Sequence, residues 1–481
     1  MMIGHKLIKK YEQLSLTVKA TMWFMLCSII QKSISIITTP IFTRLMTTEQ
    51  YGQYTVYNSW LQIFVLITTL RLNYGVFNKG MSKFGKNNRD SYTSSMQFLT
   101  TCITSVVLII YLCFREKINS FTELSTFITL AMFAELYLSP AISFWTLRQR
   151  YDFKYRSVVL VTLGISITNA ILGLIGVLSS DNKGIARILS CIMTQVCFGL
   201  ALYIINIKRS KGRIIDFNYI KFAIIFNLPL IPHYLSTYIL DQSDRIMIQK
   251  LVGIDQAAIY AVAYSAGIVM KIVTESINSA LVPWQYRQLE KKNFNTIRHQ
   301  LNSIILIIAP VLCAFIALAP EIMKVLAAPE YYEAIYVIPP VTVSVFYVFL
   351  FGLLGNIEFF YNANKFTMYL SMVGAFLNII LNFIFIKIFG YIAAAYTTMV
   401  CYLVFTVLHY IFVENLMVKN EKSHLFDGRV ILGSCFLSVV IAVVFSMLYG
   451  HVVIRYIVIA SIAIYMIVNL KKYIAVISEL K

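Results

Sequence analysis

Read for polarity alone, the chain alternates between long apolar runs and short polar breaks. The runs are about 20 residues long, enough to cross a hydrocarbon core as a helix. About fourteen spans are predicted: 20–40, 56–78, 95–113, 125–146, 157–179, 185–206, 220–241, 257–282, 301–323, 334–357, 366–386, 391–413, 430–449 and 452–470. The breaks leave no room for a soluble domain. Within the runs apolar residues do not alternate with polar ones, which excludes a transmembrane barrel. The pattern therefore predicts an all-α integral membrane protein.

Composition agrees with this. Of 481 residues, 59% are hydrophobic and 13% charged, against about a quarter charged in soluble domains. The net charge of +19 would suggest nucleic acid if it lay on one soluble face. Instead, 28 of the 41 Lys and Arg lie in or beside the segments on the membrane face that carries the N-terminus in the predicted map. By the positive-inside rule both termini are expected in the cytoplasm. The excess charge then reflects topology, helped by anionic headgroups, and no nucleic-acid partner is expected. The basic start, "MMIGHKLIKKYEQLSLTVKA", has no small-residue cleavage site before a short apolar core, so it reads as a retained tail.

All eight cysteines lie within or at the ends of apolar runs, with no CxxC pair. Neither a disulfide framework nor a metal site is expected. GxxxxGK[ST] and HExxH are absent, so nucleotide hydrolysis and zincin chemistry have no support. No cofactor and no enzymatic activity are expected.

The chain repeats itself. "TRLMTTEQYGQYTVYNSW" from Thr43 resembles the stretch "DQSDRIMIQKLVGIDQAAIYAVAYSAG" from Asp241. At a shift of 206, Arg44 meets Lys250, Leu45 meets Leu251, Glu49 meets Asp255, Gln50 meets Gln256 and Tyr54 meets Tyr260. A shift near 213 pairs Phe153 with Phe366 and Asn169 with Asn382. The offset equals six spans, an even number, so the copies are parallel repeats. The expected division is 1–213 and 214–418, each a six-helix bundle, with two further helices in 419–481.

Ionisable side chains inside spans are costly and face a cavity or a partner. The candidates singled out are Lys32, Arg71, Glu135, Lys271 and Glu275, with Arg187 near the start of span six. Lys271 and Glu275 are four apart on one helix face, where they can pair. None of these charges recurs at the shift of 206. Asp241 and Arg245 are also four apart, acid first, with Asp244 beside them. Pro229 and Pro232 each remove a backbone donor from span seven and bend it, as a static kink or as a hinge. Asn169, Asn378 and Asn382 read as hydrogen-bond partners between helices.

Three segments carry a family resemblance: "TTPIFTRLMTTEQYGQY", "FNLPLIPHYLSTYILDQSDRIMIQKLVGIDQAAIYAVA" and "LNIILNFIFIKIFGYIAAAYTT". They resemble the polysaccharide transporters of the multidrug/oligosaccharidyl-lipid/polysaccharide exporter superfamily. Within it the chain looks like the Wzx-type flippases of O-antigen or capsule repeat units. The resemblance implies two six-helix bundles forming a V, alternating access in the bacterial plasma membrane, and an oligosaccharide on undecaprenyl diphosphate as substrate. It implies as partners membrane lipids and the polymerase and chain-length regulator of the same pathway. The diphosphate makes Lys32, Arg71 and Lys271 the expected anion contacts, and Glu135 and Glu275 coupling or ion-pair groups. The family's D–R pair is matched by Asp244 and Arg245. Together with Asp241 they form an expected gate cluster, which a pair with Arg44 would close. Two other readings compete: a cation-coupled small-molecule antiporter of the same superfamily, and a polytopic polymerase or glycosyltransferase. The first would usually carry an acid in span one, where this chain has Lys32; the second needs a long catalytic loop, which the breaks do not supply.

Overall fold

A computed structural model describes residues 15–211, 214–361 and 363–470. Among them there are helices and turns but no strand. In chain order the first helices are α1 (Leu16–Leu45), α2 (Thr48–Thr69), α3 (Gly75–Lys83), α4 (Arg89–Cys113), α5 (Arg115–Thr122), α6 (Thr126–Tyr151), α7 (Tyr155–Ser179) and α8 (Lys183–Arg209). Next come α9 (Phe217–Asn227), a 3-10 turn (Leu228–Leu230), α10 (Ile231–Leu251), α11 (Ile254–Gly267), α12 (Met270–Glu290), α13 (Phe294–Ala317) and α14 (Ala319–Leu326). A 3-10 stretch (Pro329–Val337) leads into α15 (Ile338–Phe360), followed by α16 (Asn364–Phe389), α17 (Ile392–Glu421), α18 (Gly428–Leu448) and α19 (Val452–Val468).

Among the described residues, eleven helices are long and apolar enough to cross a membrane, or twelve if α11 and α12, bent by 41°, form one span. Fourteen were expected, and a helix lies at each expected position. The shortfall has two causes. Gln50, Gln53, Asn58 and Gln62 dilute the apolar run of α2, and α19 has only 17 residues.

The chain forms two compact units, Met1–Tyr238 and Ile239–Lys481. In the first, helix starts follow capping chemistry. Thr47 and Gln50 form a capping box on α2, and Ser125 and Asn182 cap α6 and α8. Each satisfies backbone donors that a helix start leaves open. Gly199 lets α8 close on α6: a Cβ there would sit 2.7 Å from the Leu138 carbonyl oxygen, the small-residue contact typical of membrane helices. Short α3 is held by a core of Leu72, Val76, Phe77, Met81, Tyr92 and Phe144, to which α9 adds Tyr219 and Ala223. Thus α9, expected to open the second half, packs with the first unit.

In the second unit α15 is buried along most of its length. α18 and α19 pack on α13, and α18 also on α15. Buried Arg455 on α19 meets Glu321 on α14 with two hydrogen bonds, 2.5 and 2.6 Å, and donates to the Ala317 carbonyl at 2.8 Å. Tyr456 donates to the same carboxylate at 2.9 Å.

Candidate functional site

α2 ends in a corner that few side chains tolerate. Leu70 and Arg71 are both left-handed, with φ of 47° and 53°. Non-glycine residues held there cost on the order of 1–3 kcal/mol each and persist only where the surroundings fix them. The fixing groups are visible. The Asn227 side chain of α9 donates to the Leu70 carbonyl. The Thr69 hydroxyl accepts from the Arg71 backbone N–H at 3.2 Å. Leu72, one residue on, is fully buried in the core.

The corner presents Arg71 to three tyrosines. Its guanidinium lies 4.6 Å from the Tyr238 ring centroid, 5.3 Å from Tyr74 and 5.6 Å from Tyr234. One guanidinium nitrogen donates to the Tyr238 hydroxyl at 3.2 Å. Tyr234 and Tyr238 are four apart on α10, and so share one helix face. Pro229 lies in the 3-10 turn and Pro232 in the first turn of α10. Where a bend was expected, the helix passes through this 3-10 turn into α10, which carries both tyrosines. Among the described residues no carboxylate lies within salt-bridge distance of Arg71, which is half-buried, while Tyr74 is 60% exposed. Of the five donors of this guanidinium, the one to the Tyr238 hydroxyl is engaged.

Behind the corner the first unit holds a partly open cavity of about 480 Å³. Thr69 and Asn73 of the corner line it, with Gln62, Glu135, Arg150 and Gln195. Glu135 is 5% exposed and accepts one hydrogen bond, from the Tyr57 hydroxyl at 3.1 Å.

The other expected residues are dispersed. Lys32 is exposed on α1. Arg44, also exposed, donates to the Pro40 carbonyl at 3.0 Å. Lys271 and Glu275 pair at 3.9 Å, as their spacing predicts. Arg187 is buried, donates to the Asn169 side-chain oxygen at 2.8 Å and lies over the Phe42 and Tyr54 rings.

The gate cluster divides. Arg245 donates to the main-chain oxygen of Asp241 at 3.0 Å and stacks on Tyr264. Asp244 is 1% exposed. Its carboxylate accepts from Tyr260 at 2.6 Å, Asn382 at 2.7 Å and Thr398 at 3.2 Å. A carboxylate so enclosed is an interior group of its own unit. Pairing with Arg44 would require it to abandon these three donors.

Sequence reasoning missed Arg150, which it counted as a loop cation, together with the tyrosine box and Asn227. The Tyr234–Tyr238 spacing was the available signal. Nothing in the sequence announced the left-handed corner, because neither Leu70 nor Arg71 is a residue that favours it.

A family described as "Polysaccharide biosynthesis protein" matches residues 17–287. A protein of the Lsg locus of Haemophilus influenzae is 24% identical over 338 residues, covering 68% of this chain and 80% of its own. Among solved structures, the lipid II flippase MurJ in an inward closed conformation aligns with a TM-score of 0.59 at 14% identity, covering 92% of this chain and 99% of that one. An inward-facing multidrug resistance MATE transporter of the MOP superfamily gives 0.64 at 14% identity, covering 82% and 96%. At such identities the likeness is one of fold.

Proposed function

Because the chain belongs to the polysaccharide biosynthesis protein family, we propose that it is a flippase for lipid-linked oligosaccharides. Its substrate is an O-antigen or capsule repeat unit on undecaprenyl diphosphate, carried across the bacterial plasma membrane by alternating access. The observation that carries this reading is the Arg71 corner: a strained backbone holds an unneutralised guanidinium against three tyrosines. Arginine offers a planar fork that matches phosphate oxygens two at a time. The aromatic faces stabilise the cation without neutralising it, so it remains available to an anion. Arg187, the more buried arginine of the same unit, spends donors on Asn169 and Tyr54, whereas Arg71, half-buried, donates to the Tyr238 hydroxyl alone among the described residues.

Deleting the gene tests the reading. Lipid-linked single repeat units should accumulate and surface polymer should disappear, with both restored by the intact gene. Deletion without accumulation would refute it. The map that accompanies it puts both termini in the cytoplasm, so reporter fusions after Lys211 and Lys481 should both report cytoplasm.

A further inference from the structure

The cavity behind the Arg71 corner has a chemistry of its own. Of its 18 lining residues, 11 are polar, including Gln31, Gln62, Asn73 and Gln195. At about 480 Å³ it falls in the usual range of ligand pockets, about 300–1,000 Å³. An acyl chain or apolar drug would strip water from these groups and give nothing back.

The two charges that line the cavity are not spent on each other. Glu135 accepts a single hydrogen bond. The Arg150 Nε is buried without a hydrogen-bond partner, and its guanidinium lies 5.2 Å from the Phe24 ring. One group only accepts and the other only donates, while the surrounding amides and hydroxyls do both. A metal ion would want several acids, and Glu135 is the one acid among the lining residues. A phosphate would want several cations, and Arg150 is the one cation. A sugar ring, whose hydroxyls each donate and accept, can use the whole set.

Position adds a second argument. Thr69 and Asn73 line the cavity from either side of Arg71 in sequence. In a lipid-diphosphate-linked saccharide the first sugar is bonded directly to the phosphate. We infer that this cavity is a carbohydrate subsite taking the first one or two sugar rings of the substrate. The inference rests on the diphosphate reading of Arg71 and adds to it a separate binding term.

The test uses full-length protein in nanodiscs and two probes. One is bare undecaprenyl diphosphate; the other is the lipid-linked repeat unit extracted from cells lacking the gene. The wild type should bind the sugar-bearing lipid roughly tenfold or more tightly, the worth of one or two hydrogen bonds. Ser143→Trp, which fills the cavity, should erase the difference between the probes. The isosteric Glu135→Gln should reduce that difference at an unchanged melting temperature, which guards against a folding defect in the bulkier variant. A sugar-dependent gain that survives both changes overturns the subsite. Arg71→Ala should weaken binding of both probes. If it weakens neither, the diphosphate reading fails, whatever the cavity variants show.

Discussion

Tyr54 and Asn169 in the first unit are the repeat partners of Tyr260 and Asn382 in the second. Each pair surrounds a buried charge, and the charges are opposite. In the first unit Asn169 and Tyr54 accept from Arg187, at 2.8 and 3.5 Å. In the second, Asn382 and Tyr260 donate to Asp244, at 2.7 and 2.6 Å. A carboxamide presents an oxygen or an NH₂, and a phenol accepts or donates. The duplicated groups are those that hydrogen-bond either way; the charge between them was free to invert. Arg71 differs from both centres. Like Arg187 it has aromatic neighbours and, among the described residues, no acid, but it is only half-buried and makes one side-chain hydrogen bond, to Tyr238, and its repeat position carries no charge. The two enclosed charges find hydrogen-bond partners within their own units, and the half-buried one is the proposed anion contact.

The sharpest way to break the comparison is to make one change at both paired positions. Asn382→Asp sets a second acid against Asp244 and should destabilise by about 3–5 kcal/mol, the cost of an uncompensated buried charge. Asn169→Asp sets an acid against Arg187 and should stay within about 1 kcal/mol of the wild type. Thermal unfolding in detergent reads both, and equal effects would dissolve the claimed inversion. Next in size is Asp244→Asn. An amide can still accept from Tyr260 and Thr398, so the loss should be about 1–2 kcal/mol, well below that of Asn382→Asp.

The smallest effect sharpens what a closed charge means. Burial pushes the Glu321 carboxyl up, but hydrogen bonds from Arg455 and Tyr456 and the Arg455 charge outweigh it, leaving it below its ordinary 4.5. A lowered folded value contributes stability that is complete above the unfolded one. That stability is lost as pH falls through the folded value. Melting should therefore decline below about pH 4.5, by no more than roughly 1 kcal/mol, since the pair is partly solvated. An Arg455→Met variant should lack that decline.

Much of this was legible in the sequence. Apolar run length gave the helices, because a bilayer enforces it. The shift of 206 paired Tyr54 with Tyr260 before any contact was known, and the Lys271–Glu275 pair follows from helical spacing. The surroundings of Asp244 were not legible, because spacing does not report depth: Asp244 and Arg245 are adjacent, yet one is enclosed and the other stacks on Tyr264. The cavity was illegible because its walls come from α1, α2, α6, α7 and α8. Arg150 reads as a loop cation until the last turn of α6 brings it to that wall.

The central claim is that Arg71 serves the substrate and not the fold. Transbilayer movement of extracted lipid-linked repeat units in vesicles tests it most directly, comparing wild type, Arg71→Lys and Arg71→Ala at matched amounts of folded protein. A lost charge-assisted contact of about 1.5–3 kcal/mol predicts a roughly 10- to 100-fold slower rate for Arg71→Ala. Arg71→Lys should recover part of it, because it keeps the charge and loses the fork. Wild-type rates in Arg71→Ala, or a rate that falls only as far as the protein unfolds, would contradict the account.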